Sequence, residues 1–323
     1  MVKKQGIVLF MKKVFVAGAT GGIGSALVTE LTVRKIEVIA FARTEETLKA
    51  RFGDNPLVTC IAGDVLNNKE VFKAAKGVDT IMHAVSFPYE QWEATHMIGL
   101  ENLLTTAKQT NSRFIMLDNI YAYGKSPSPV KEDSIKHPHT KKGTLRLEME
   151  QLIKNSGLTY LIAHIPDVFG PYAKNTILYS TLQAVIQNKN AYFVGPMDVT
   201  REFAYTPDIA KVVVALTLNK ESYNQNWNIP GGLKITGHEL QHYLQKNFHY
   251  SKKLKSATTR MISFLGLFSS FMREQKEMMY LTETPVIVDS SKLQKVLHHI
   301  PLDGIKSLNQ TIDWMKDDLI NSK

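Results

Sequence analysis

Residues 14–24 read Val-Phe-Val-Ala-Gly-Ala-Thr-Gly-Gly-Ile-Gly. A short apolar run ends in glycines at 18, 21 and 24, and an amphipathic segment, Ser25 to Arg34, follows at once. The order is strand, tight turn, helix start, which is the order of a phosphate cradle. Gly18 lets the chain turn without a Cβ penalty. Gly21 lets a pyrophosphate approach the backbone, and Gly24 lets helix and strand pack closely. Thr20, Gly22 and Ile23 complete the loop, whose free N–H groups and positive helix end hold phosphates. A purely structural turn is the other reading, and the flanking strand and helix argue against it.

The same alternation continues outward. Apolar runs at 13–18, 36–41, 57–62, 79–84, 112–117 and 158–163 read as strands. Helical patterns at 22–34, 44–52, 67–76, 90–110 and 143–156 separate them. Such alternation predicts a doubly wound α/β fold, a parallel Rossmann-type sheet with helices on both faces. After residue 170 the pattern becomes irregular, with helices expected at 175–188 and 207–218 and short strands at 191–194 and 226–229. A mostly helical tail follows from 236, with a strand at 285–288. The expected division is a dinucleotide-binding domain over 11–170, rejoined by 201–230, and a substrate or lid region over 171–200 and 231–323. Residues 1–10 read as an extension of no assigned role, too short in their apolar part for a signal peptide.

Composition bounds the rest. The 323 residues carry one cysteine, Cys60, so no disulfide framework exists and a reducing, cytoplasmic setting is expected. Cys60 lies in an apolar run and reads as a buried structural thiol. No run approaches the ~20 apolar residues that span a bilayer. The net charge is +9, but the densest basic stretch, His242–Arg260, lacks the basic and aromatic ladder of nucleic-acid modules. The expectation is therefore a small-molecule substrate, no nucleic acid and no membrane, with part of the excess charge serving an anionic cofactor. A homodimer stays open. The apolar stretch Met261–Met272 reads as a lid packed on the substrate rather than a membrane element.

Four further segments tune the cofactor. After the second strand, Arg43 and Thr44 stand where a carboxylate would accept a ribose diol. A guanidinium there suits a 2′-phosphate, so NADP is the expected cofactor. Asp64, in Gly63-Asp64-Val65, is placed to bond the adenine amino group, or else to cap the helix starting near Asn67. Ala84, Val85 and Ser86 close the fourth strand with small residues that suit close passage of the cofactor, and Asp167 sits where the nicotinamide should lie or caps a turn.

Together these features resemble the short-chain dehydrogenase/reductase superfamily, in the extended or atypical branch of NAD(P)-dependent epimerases and dehydratases. The resemblance covers nearly the whole chain. It rests on the glycine turn, Gly63-Asp64-Val65, Tyr123-Gly124, Phe169-Gly170-Pro171 and the stretch from Arg201 to Ala210. It implies a seven-strand parallel sheet, a smaller C-terminal substrate region, and redox chemistry at a carbonyl or alcohol carbon of a small molecule or nucleotide sugar. It also implies a Ser or Thr after the fifth strand and a Tyr-x-x-x-Lys on the next helix, the proton-transfer pair. Here Asn119 stands at the Ser position, Lys142 at the Tyr position and Arg146 at the Lys position, and no tyrosine lies between Tyr123 and Tyr160. Three readings stay open. Tyr121 replaces the proton donor, with Lys142 and Arg146 supplying positive charge that lowers its pKa or stabilises an oxyanion. Lys142 itself is the donor, its pKa depressed by Arg146 and burial. Or the site is inactive, and the chain is an NADP(H)-responsive sensor or scaffold. His137 with His139, and His298 with His299, lack a clustered third ligand, so no metal is expected.

Overall fold

In the computed structural model, which describes residues 11–297 and 302–321, strands and helices alternate from the start. β1 (Lys13–Ala17) leads to α1 (Gly22–Val33), β2 (Glu37–Ala42) to α2 (Glu45–Phe52), and β3 (Val58–Ala62) to α3 (Asn68–Ala74). β4 (Thr80–His83) leads to α4 (Trp92–Thr110), β5 (Arg113–Asn119) to α5 (Lys141–Lys154), and β6 (Tyr160–Ile165) closes this half. Next come β7 (Asp167–Phe169), α6 (Ile177–Ile186), β8 (Tyr192–Val194), β9 (Arg201–Tyr205), α7 (Thr206–Thr217) and β10 (Gln225–Asn228). β11 (Leu233–Ile235), α8 (Gly237–Phe248) and β12 (Lys255–Ala257) precede α9 (Thr259–Leu265), α10 (Ser270–Glu277), α11 (Tyr280–Glu283), α12 (Ser291–Val296) and α13 (Gly304–Asn321).

β10, β6, β5, β4, β1, β2 and β3 hydrogen-bond in that order into one parallel seven-stranded sheet. The strand order reverses between β1 and β4, which opens a crevice at their carboxyl ends. Helices cover both faces of the sheet, so its central strands β1, β2 and β4 are largely apolar and their successive residues feed opposite cores, whereas the edge strands β3 and β10 are more polar. Val14 and Val16 pack with Leu27 and Leu31 of α1 and Ile209 and Val213 of α7. Phe15 and Ala17 pack with Leu100 and Leu103 of α4 and Met149 of α5.

The remaining residues build a third core in which Leu178, Leu182, Phe193, Phe203, Leu240 and Leu308 meet. Here the structure departs from the sequence reading. β9 does not join the central sheet with β10; it lies between β11 and β7 in a separate three-stranded sheet. The strand expected at 285–288 shrinks to one bridge between Val288 and Val130. Residues 1–10 and the His298–His299 pair lie outside the described residues. No helix of the described residues is long and apolar enough to cross a membrane.

Candidate active site

The turn before α1 has the shape its glycines require. Gly18 adopts φ +82°, and a Cβ there would stand 2.6 Å from the Ala84 carbonyl oxygen. The Gly18 and Ala19 N–H groups both donate to the Phe41 carbonyl, at 3.0 and 3.1 Å, which ties the turn to β2. A Cβ on Gly24 would stand 2.1 Å from the Gly18 oxygen, so α1 closes on β1 only with glycine there. At Gly21 the only near neighbour of an added Cβ would be that same oxygen at 3.4 Å, so the protein leaves this side open. Gly21 caps α1 without a side-chain bond, and the following N–H groups of Gly22 and Ile23 remain for an anion. Gly22 has a second reason to be glycine, since its Cβ would stand 2.8 Å from that of Ala173.

Arg43 and Thr44 stand exposed at the carboxyl end of β2. Thr44 caps α2 without using its side chain. Neither side chain is engaged by a neighbour among the described residues, so both are free for a ribose phosphate. Asp64 Oδ1 accepts the Leu66 N–H at 2.9 Å. The alternative that Asp64 caps α3 does not hold, because Asn67 does so through the Lys69 N–H. The Val65 side chain is buried in the core, so only its backbone is available to a ligand. Ala84 and Val85 back the glycine turn, and the Val85 N–H donates to His83 Nδ1 at 3.2 Å. Ser86 is exposed beside them. These residues fit a dinucleotide. Cys60, expected to be buried, is only half-buried on the edge strand β3.

One brace of this site has no signal in the sequence. Arg51 of α2 donates to the Thr20 carbonyl at 2.5 Å and the Ser25 hydroxyl at 2.6 Å. Its guanidinium lies 3.6 Å from the centre of the Tyr172 ring. The three partners come from distant parts of the chain, so no local spacing announces them.

The substrate side is assembled beyond β5. Tyr121 follows in a single 3-10 turn, its N–H bonded to Asn119 Oδ1 at 3.0 Å. Asn119 thus shapes the turn from the Ser position. The Tyr121 hydroxyl lies 2.7 Å from that of Tyr89, and its ring stacks on Trp92. Both tyrosines line a closed cavity of about 10 Å³, together with Asp167 and Arg201 from β7 and β9. Asp167 is held in an ion pair by the buried Arg201. Arg201 also donates to the Val194 carbonyl at 2.8 Å. Gln275, Met278, Met279 and Leu281 close the other side.

Lys142 and Arg146 do not support Tyr121 as expected. Lys142 Nζ is bound by Glu274 and, at 2.8 Å, by Glu277. Arg146 turns into the core, 3.3 Å from Asp118 Oδ1, with His96 on its other side and Trp92 beneath it. The two cations therefore face different carboxylates, and neither lowers the tyrosine. Burial, reinforced by Tyr89 and Asp167, raises the Tyr121 pKa well above the ordinary phenol value. Burial likewise pushes Tyr89 up to about 12. The lid is also shifted along the chain. Phe264, Leu267 and Phe268, within the expected Met261–Met272 lid, are exposed, and the contacts over the cavity come instead from 274–282. Deeper in, burial opposes the charge on Glu150, but His164 and Lys136 hold its carboxyl far below the usual range. Lys136 reaches it from a loop to which the sequence reading gave no role.

The sequence model of the NAD dependent epimerase/dehydratase family matches residues 14–229. The chain belongs to this family. Among curated relatives, it is 29% identical over 161 residues to an uncharacterized chloroplastic protein of Arabidopsis thaliana, covering 47% of this chain and 57% of that one. It is 38% identical over 74 residues to a 3-beta-hydroxysteroid dehydrogenase of Mycolicibacterium neoaurum, covering 23% and 19%. It is 26% identical over 246 residues to UDP-glucuronic acid decarboxylase 1 of Arabidopsis thaliana, covering 68% and 55%. The chain thus spans less than two thirds of the length of these relatives. Among solved structures, the UDP-glucuronic acid 4-epimerase of Bacillus cereus in complex with NAD superposes with a TM-score of 0.78 at 20% identity, covering 94% of this chain and 99% of that one. The UDP-glucose 4-epimerase of Thermotoga maritima with UDP-glucose gives 0.77 at 17% identity, covering 95% and 99%. The epimerase/dehydratase fold accordingly runs through nearly all of this chain.

Proposed function

We propose that this chain is an NADP(H)-dependent enzyme of the epimerase/dehydratase family, acting at a carbonyl or alcohol carbon of a small molecule, a nucleotide sugar by preference. The open face at Gly21 and the unengaged Arg43 and Thr44 support the phosphorylated cofactor. When bound, the nicotinamide supplies or accepts the hydride. The remaining work is proton transfer, and the observation that carries the reading is the Tyr121–Tyr89 hydroxyl pair on the cavity wall. Tyr121 is the proton donor. The phenol is protonated at neutral pH, as an ordinary tyrosine is, so a proton is in place for the oxygen of a carbonyl under reduction, although burial makes it a weaker acid. Tyr89 hands a proton on to the vacated Tyr121 oxygen through their 2.7 Å contact, and its own oxygen takes a replacement proton from water when the cleft opens. Lys142 is not free for this task, because two carboxylates hold its ammonium. The single cysteine supports a cytoplasmic setting.

The test is Tyr121→Phe. General-acid catalysis contributes roughly 10²–10⁴-fold, so NADPH-dependent carbonyl reduction should fall by about that much. Cofactor affinity should stay unchanged. The reduction rate of the parent should run flat through neutral pH up to the ordinary phenol range, since the raised pKa retains the proton. An inflection near neutrality that disappears in Tyr121→Phe would mean a tyrosine lowered by a cation, contrary to this reading. Unchanged turnover would remove Tyr121 from the mechanism.

A further inference from the structure

Lys142 is buried, with its side chain 3% exposed, and both of its carboxylate partners come from one helix. Glu274 and Glu277 lie three residues apart on α10, on one face of it. Glu277 makes two contacts. Its Oε2 takes Lys142 Nζ at 2.8 Å, and its Oε1 takes the Lys142 backbone N–H at 3.1 Å, in the first turn of α5. A single carboxylate thus bridges an ammonium and a free helix N–H. The pair stands beside the proposed proton donors, with Lys142 Nζ 5.0 Å from the centre of the Tyr89 ring.

Beyond this pair, α10 is held by Met272 against a small apolar cluster and by Arg273 Nε, which donates to the Gly266 carbonyl at 3.3 Å. No described side chain in it is buried. It leads directly into Met278 and Met279, which fill the cavity wall. A space of about 10 Å³ admits roughly one water, so any organic substrate requires this segment to withdraw. Its withdrawal takes both glutamates with it and leaves the Lys142 ammonium and its backbone N–H without their carboxylate partners in the opened cleft. A neutral ligand cannot repair that loss, whereas a carboxylate can take over both contacts of Glu277. The anion that lines the cavity, Asp167, is already paired with Arg201 and does not repel it.

We propose that Lys142 and its backbone N–H form a carboxylate-binding subsite that Glu277 occupies in the closed state, and that the substrate bears a carboxylate near its reacting carbon. This rests on the reading of the cavity as the substrate site. Lys142 then acts as a specificity-determining residue, and the family's tyrosine position has become an anchor.

The test compares D-glucuronate with D-glucose, which differ at one carbon by carboxylate against hydroxymethyl, on the full chain at matched ionic strength. Hydrogen exchange of residues 270–283 reads the release of α10. Glucuronate should accelerate exchange there several-fold, and glucose should not. In Lys142→Gln the segment should exchange fast already, with no further response to glucuronate. The double variant Glu274→Gln/Glu277→Gln keeps the anchor and removes its internal competitor. It should bind glucuronate roughly tenfold more tightly than the parent, and this arm stands even if Lys142→Gln fails to fold. Equal responses to the two sugars in the parent, or no gain in the double variant, overturn the proposal. Calorimetry with UDP-glucuronate and UDP-glucose separates it from the nucleotide-sugar reading. If UDP adds nothing to glucuronate binding, the nucleotide reading fails and the carboxylate subsite stands. If UDP-glucose binds as well as UDP-glucuronate, the subsite fails and the nucleotide reading stands.

Discussion

The turn at residues 18–24 is held by the neighbouring strand β2 and by the packing of α1 on β1, whereas the cleft around Lys142 is held by partners 132 and 135 residues away. The first is open on the side where its ligand lies and needs no rearrangement to receive it. The second is filled by the protein's own carboxylates and methionines, and must empty before it works. Both regions use the start of a helix to hold an anion. In α1 the first-turn N–H groups are left for a phosphate, and in α5 one is taken by Glu277. The difference lies in who supplies the negative charge. On the proposed reading, the cofactor meets a prepared site, and the substrate has to displace the protein's own carboxylates.

The largest effect expected from this contrast is at Gly21. Gly21→Val should abolish NADP(H) binding in calorimetry and leave the thermal melt nearly unchanged, because the protein itself offers no obstacle there. Gly24→Ala should do the reverse in kind. A Cβ 2.1 Å from the Gly18 oxygen forces the helix off the strand, at about 1–3 kcal/mol of stability. Normal binding by Gly21→Val would break the comparison at its root, since the phosphate site would then lie elsewhere.

Arg43→Ala is expected to act more moderately. Losing a charged contact to the 2′-phosphate costs about 1.5–3 kcal/mol, or roughly tenfold to a hundredfold in affinity. Binding of NAD(H), which lacks that phosphate, should not change. Tighter binding of NAD(H) than of NADP(H) by the parent would show that the exposed guanidinium is not a cofactor contact.

The smallest effect is on acid stability. Burial, with help from Arg146, depresses His83 from 6.5 to about 3. Between those values the unfolded chain binds a proton that the folded chain refuses, so stability is whole above pH 6.5 and falls as the pH drops. The slope is at most about 1.4 kcal/mol per pH unit from this group, and the buried His96 acts in the same direction. Thermal melts at pH 7, 6 and 5 should therefore step downward. His83→Asn, which keeps an acceptor for the Val85 N–H, should flatten the step. A parent melt insensitive to pH over this range would contradict the burial assigned to these rings.

Sequence legibility follows the same division. The glycine spacing, the alternation of strands and helices and the position of Arg43 are local patterns, and a reader of the chain sees them. The β11–β9–β7 sheet, the Arg201–Asp167 pair and the grip of Glu274 and Glu277 on Lys142 arise only when distant segments meet. Tyr121 was visible as a candidate because the expected tyrosine was missing. Its hydroxyl partner was not, since Tyr89 lies in the 3-10 turn before α4 and meets Tyr121 only in the fold. Lys142 and Arg146 do not act on Tyr121 as their spacing suggests, for a related reason. Two cations near in sequence were pictured bare, and the fold brings each its own carboxylate.

The Arg51 brace carries a consequence for how the protein comes into being. Tyr172, which lies against Arg51, packs its other side on Trp314 of α13 at 4.9 Å, and Lys174 close by pairs with Asp318 at 2.7 Å. Synthesis delivers the amino-terminal turn first and α13 long afterwards. The turn's bonds to β2 and to Arg51 can form early, and the contact of Tyr172 with α13 is added only later. In the folded protein the glycine turn and α13 are thereby linked through Arg51 and Tyr172, so a disturbance at one is felt at the other.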